Sequence, residues 1–119
     1  MKSNHYEPVL DSDVQDAIGT VAIVDVRPAS YFEAGHIPES VNIPFDVIAA
    51  EEGDLADNIV AAFKDAGYNE DDEFIVSCQT GYHSKLACDA LFDAGYTNVK
   101  YYPGSYEDWV LVETHPVEK

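Results

Sequence analysis

Apolar positions along this chain fall into two alternating patterns. Nearly continuous apolar runs occur at 21–26 (Val21-Ala22-Ile23-Val24-Asp25-Val26) and at 74–78 (Phe74-Ile75-Val76-Ser77-Cys78), with shorter mixed ones at 41–43 and 99–102. Runs of this length without polar alternation predict strands covered on both faces. Between them, apolar residues recur three and four positions apart. Val14, Ala17 and Ile18 follow an Asp11-Ser12-Asp13 start and stop at Gly19, while Ala87, Ala90, Leu91 and Ala94 stop at Gly95. Both read as helices with glycine ends. Pro28 suits the first turn of a short helix to Ala34, residues 45–66 are helical with a break near Gly53, and a last helix contains Trp109. Gln79-Thr80-Gly81-Tyr82-His83 reads as a loop, with a helix starting at Ser84. Strands alternating with helices predict an α/β fold: a mostly parallel central sheet with helices on both faces.

Length and charge narrow the function classes. The chain has 119 residues, the size of one domain, so 1–119 is read as a single unit. Hydrophobic residues at 46% and charged residues at 24% argue against disorder. Against 23 Asp and Glu stand 6 Lys and Arg, a formal net charge of −17. Such a surface repels nucleic acid and anionic lipid, so neither is expected as a partner; a salt-rich habitat also fits it. No apolar stretch reaches the ~20 residues that span a bilayer. Met1-Lys2-Ser3-Asn4-His5 lacks the apolar core of a secretory signal, and a cytoplasmic location with reduced thiols is expected. Cys78 and Cys88 form no CxxC, and His5, His36, His83 and His115 are scattered, so no metal site is expected.

Cys78 is the residue with chemical promise. It ends a predicted central strand, and ligands of open α/β sheets bind at that end. A tight loop followed by a helix start can aim backbone N–H groups inward as an anion-binding cup. Such surroundings favour thiolate over thiol. Gly81 lets the loop close, since glycine takes positive φ freely. The alternative for a buried cysteine is inert packing, and that is the preferred reading of Cys88. His36 reads as a structural residue bonded to backbone in preference to a general base, and Trp109 as core or loop support. Asn69-Glu70-Asp71-Asp72-Glu73 reads as a solvated turn.

Three segments bear a family likeness. Asp25-Val26-Arg27 with Tyr31-Phe32-Glu33-Ala34-Gly35-His36-Ile37-Pro38 resembles the first signature of the rhodanese (sulfurtransferase) family. Cys78-Gln79-Thr80-Gly81-Tyr82-His83-Ser84 resembles its active-site loop, and Gly104-Ser105-Tyr106-Glu107-Asp108-Trp109 its closing Gly-x-x-x-x-Trp signature. All three stand in the family's order, from about 21 to 109. The resemblance implies a rhodanese-like fold and a sulfurtransferase that needs no cofactor beyond a transient persulfide on Cys78. Thiosulfate or a persulfide would donate sulfur, and a thiophilic acceptor such as cyanide or a protein thiol would take it. The backbone N–H groups of Gln79, Thr80, Gly81, Tyr82, His83 and Ser84 would hold the terminal sulfur and the donor. Asp25 and Arg27 would anchor the strand-to-helix connection.

One departure qualifies this. His83 stands where many members carry Arg, leaving His83 and Lys85 as the pocket's cationic help and pointing away from thiosulfate toward a persulfide donor. The same departure keeps open a second reading, a rhodanese-fold binding module with little sulfur turnover. Phosphoryl transfer is disfavoured, because Ser84 stands where related phosphatases need an arginine.

Overall fold

The computed structural model describes residues 7–119. His5 and the rest of the opening segment lie outside the described residues. The strands are β1 (Glu7–Pro8), β2 (Ala22–Asp25), β3 (Val41–Asn42), β4 (Phe74–Ser77) and β5 (Val99–Tyr101). The helices are α1 (Asp11–Ala17), α2 (Ala29–Ala34), α3 (Phe45–Ala49), α4 (Leu55–Asp65), α5 (Tyr82–Asp93) and α6 (Ser105–Trp109). The strands form one five-stranded sheet in the order β1-β5-β4-β2-β3, and every pairing in it is parallel.

Side-chain alternation sorts the apolar runs onto two faces. Val24, Val26, Phe74, Val76 and Val99 meet α3, α4 and α5 through Phe45, Ile48, Ile59, Phe63, Ala87, Cys88 and Leu91. Ile23 and Ile75 meet α1 and α6 through Val14, Ala17 and Trp109. Burial drives this layering; each fully buried side chain such as Phe63 contributes ~1.5–3 kcal/mol. Asp54 caps α4 by accepting from the Asp57 N–H at 3.1 Å, the local signal that starts that helix after the break at Gly53.

The register positions the site. β2 and β4 pair with Asp25 opposite Ser77, so the residues just past both strands emerge side by side at the carboxyl edge. Val26 and Cys78 are those residues, and Arg27 is the next one along from β2.

The α/β architecture and the mostly parallel sheet agree with the pattern reading, with every strand pairing among the described residues parallel. Two details differ. β1 was not predicted; it is two residues long, one of them proline, and it adds on beside β5 at the sheet edge, where a missing N–H is tolerated. The helix expected at Ser84 starts at Tyr82, with Gly81 as its N-cap at φ 97°, so Tyr82 and His83 belong to the first turn of α5 and not to the loop.

Candidate active site

Cys78 follows β4 directly, and its sulfur lies under the turn that starts α5. The Gly81 N–H points at Sγ from 3.0 Å and the Ser84 N–H from 3.4 Å. Cys78 Sγ donates to Ser84 Oγ at 3.3 Å, and that hydroxyl donates onward to the Gly81 carbonyl at 3.1 Å. The sulfur thus sits against two backbone donors and a hydroxyl that can turn to donate. Of the N–H groups from Gln79 to Ser84, these two meet the sulfur itself.

Gly81 makes this geometry possible. Its φ is 97°, and a Cβ there would collide with the Pro103 carbonyl. Its own carbonyl accepts from the Tyr101 phenol at 2.9 Å and from the Lys85 N–H at 3.1 Å. Burial, and then the neighbouring Cys78 sulfur, hold the Tyr101 phenol above its ordinary range, so it stays a donor. The other side of the loop hangs on α6: the Tyr106 N–H donates to the Cys78 carbonyl at 2.9 Å and the Glu107 N–H to the Gln79 carbonyl at 3.0 Å.

Arg27 and Asp25 form a buried pair beside the loop, each 3% exposed. Arg27 Nε reaches both Asp25 oxygens at 3.1 and 3.0 Å, and Nη2 reaches Oδ2 at 2.8 Å. Nη2 also donates to the Gly35 carbonyl at 2.7 Å, and Nη1 to Gln79 Oε1 at 3.3 Å. The guanidinium lies 4.0 Å from the centre of the Tyr106 ring. Arg27 therefore ties the end of β2 to α2 and to the cysteine loop.

Above Cys78 lies a cavity of about 290 Å³ lined by Arg27, Pro28, Tyr31, Cys78, Gln79, Thr80, Tyr82 and His83. A second hollow of about 400 Å³ shares Arg27 and Tyr31 with it but does not reach the cysteine. The cation at the cysteine's cavity is thus Arg27 beside His83. Lys85 does not line it, being exposed and paired with Asp89 at 3.4 Å. Arg27, expected only to anchor the strand-to-helix connection, thus has a second position at the cavity, which follows from the pairing of β2 with β4 and not from any local pattern. The His83 ring stacks on Phe45 at 4.5 Å, and Tyr82, 66% exposed, stands at the rim.

The remaining predicted residues sit outside the cavity. Cys88 is buried in the core, and burial pushes its thiol far up, which keeps it inert. His36 Nδ1 donates to the Phe32 carbonyl at 2.7 Å and its ring stacks on Phe32. Trp109 is fully buried and donates from Nε1 to the Pro116 carbonyl at 2.9 Å. Among the described residues, no cluster of His, Cys, Asp and Glu could hold a metal ion, and no helix is long and apolar enough to cross a membrane.

A family model described as the rhodanese-like domain matches residues 10–111. The chain belongs to that family. It is 34% identical to the 3-mercaptopyruvate sulfurtransferase of Escherichia coli K12 over 112 residues, covering 83% of this chain and 40% of that protein. It is 33% identical to the thiosulfate:glutathione sulfurtransferase of Saccharomyces cerevisiae over 94 residues, covering 76% of this chain and 65% of that one. The chain thus spans less than half the length of the first relative. A solved human single-domain sulfurtransferase superposes with a TM-score of 0.70 at 24% identity, covering 92% of this chain and 100% of that one, which shows the shared fold. In this rhodanese-like domain the three sequence signatures converge: Arg27 from the first, the Cys78 loop from the second, and the α6 amides from the third meet at one edge of the sheet.

Proposed function

We propose that this protein transfers sulfane sulfur through a persulfide on Cys78, acting as a single rhodanese-like unit over 1–119. The observation that carries the reading is the aim of the Gly81 and Ser84 N–H groups at the Cys78 sulfur, on the floor of an open cavity. Such donors stabilise negative charge on sulfur, which is the form that attacks and the form that must leave.

In the first half-reaction the Cys78 thiolate attacks the outer sulfur of a donor such as thiosulfate. A sulfur–sulfur bond forms, the donor's own sulfur–sulfur bond breaks, and sulfite departs with the bonding pair. In the second, an acceptor thiolate or cyanide attacks the terminal sulfur, and Cys78 leaves as thiolate, ready for another cycle. No external oxidant or resident cofactor enters. Arg27, Gln79, Thr80, Tyr82 and His83 wall the space for the terminal sulfur and donor, and Arg27 with Asp25, His36 and Trp109 supports the surrounding backbone.

A persulfide donor suits this cavity better than thiosulfate. Arg27 is the buried cation beside Cys78, and its charge is balanced by Asp25, so a dianionic donor meets little net positive charge on a chain of net charge −17. The test is turnover with thiosulfate, 3-mercaptopyruvate and a small-thiol persulfide, each with cyanide as acceptor. Thiocyanate formation, fastest with the persulfide, is expected. No thiocyanate from any of the three would favour a binding module over an enzyme.

A further inference from the structure

Ser105, the first residue of α6, has φ 57°, in the left-handed region that favours glycine. Its side chain is fully buried. The hydroxyl oxygen accepts the Cys78 N–H at 3.0 Å, donates to the Tyr102 carbonyl at 2.9 Å, and lies 3.7 Å from Cys78 Sγ. Strain of this kind persists only where the surroundings impose it. A glycine would relieve it and leave the α6 backbone bonds to the Cys78 and Gln79 carbonyls in place. What a glycine lacks is the hydroxyl.

We propose that Ser105 is a positioning residue for Cys78, an assignment that rests on the reading of Cys78 as nucleophile. By holding the Cys78 N–H, its hydroxyl fixes the peptide plane entering the loop, and so directs the Cα–Cβ bond that carries sulfur toward Gly81 and Ser84. A hydroxyl has one hydrogen and two lone pairs. With its hydrogen on Tyr102 and one lone pair on the Cys78 N–H, it makes no hydrogen bond with the neutral thiol, whose one hydrogen goes to Ser84. Rotation moves the hydrogen onto the sulfur when the sulfur carries charge. The site then has two such rotors, Ser84 and Ser105, at 3.3 and 3.7 Å from the reacting atom.

Ser105→Gly and Ser105→Ala separate this role from a structural one. Both lack the hydroxyl, and only the glycine variant is also free of strain. Iodoacetamide alkylation of Cys78 at fixed pH, in a Cys88→Ala background, is expected to slow about five- to tenfold in both variants, the effect of one lost hydrogen bond. The turnover number is expected to fall by the same factor, with the donor KM within about twofold of the parent, since the hydroxyl reaches the nucleophile and not the donor. Urea midpoints report folding separately. Parental alkylation and turnover in folded Ser105→Gly would overturn the proposal and leave Ser105 a structural residue. Alkylation needs no sulfur transfer, so a slowed Ser105→Gly in a protein that never takes up sulfur would reject the function reading while retaining the positioning one.

Discussion

The Gly81 N–H lies 3.0 Å from the Cys78 sulfur, and the same glycine has no room for a Cβ because the Pro103 carbonyl fills that space. Gly67 provides the control: its φ is 98°, with nothing within 4 Å of an added Cβ. Gly67→Ala is expected to lose about 1–2 kcal/mol from backbone strain alone, with unchanged turnover. Gly81→Ala adds a collision that pushes the loop off the sulfur. It is expected to lose more stability and about a hundredfold in kcat/KM, the scale of an ångström-sized misplacement. Urea denaturation and steady-state assays of the two variants check this.

The Asp25–Arg27 pair predicts a different signature. Asp25→Ala leaves a buried guanidinium with the Gly35 carbonyl and Gln79 for partners, and is expected to cost about 3–5 kcal/mol. Arg27→Lys keeps the charge but cannot bond Asp25, Gly35 and Gln79 at once, so it is expected to loosen the loop as well. Wild-type urea midpoints in either variant would contradict the assigned role.

His83→Arg tests donor choice. The His83 ring is exposed and stacked on Phe45 at the cavity wall, so a guanidinium there can reach a donor oxyanion. A hydrogen bond to a charged group is worth about 1.5–3 kcal/mol, or roughly tenfold to a hundredfold in thiosulfate kcat/KM. Added salt relieves repulsion from the net charge of −17 and raises both proteins' rates without erasing the difference. Equal kcat/KM at low and high salt would show that position 83 does not limit this donor.

Cys88 sets an alkaline limit on stability. Burial holds its proton in the folded state, while the unfolded thiol releases it near pH ~8.5. Its contribution is therefore full below about pH 8.5 and declines above it, by up to about 1.4 kcal/mol per pH unit for one proton. Cys88→Ala is expected to be less stable at neutral pH, with a shallower decline above pH ~9. Parallel pH profiles for the two proteins would contradict this.

The central sheet was legible because β2 and β4 are largely apolar on both faces, and Gly19, Gly35, Gly67 and Gly95 mark where α1, α2, α4 and α5 end. The cysteine loop was legible too, since a strand-end cysteine before a helix has a recognisable chemistry. The start of α5 was not, because Gly81 caps it through a left-handed backbone and carries no capping side chain. The second position of Arg27 depends on strand register, and the contact of Ser105 with Cys78 crosses 27 positions, so neither leaves a local pattern. Strand β1, two residues long, holds too few side chains to show a period.

Sulfur is proposed to travel on Cys78. Intact-mass measurement after incubation with a persulfide donor, with peptide mapping, tests it in wild type, Cys78→Ser and Cys88→Ala. One added sulfur atom is expected on the peptide containing Cys78 in wild type and Cys88→Ala, removed by cyanide, and none in Cys78→Ser. Sulfur mapped to Cys88, or undiminished uptake by Cys78→Ser, would contradict it.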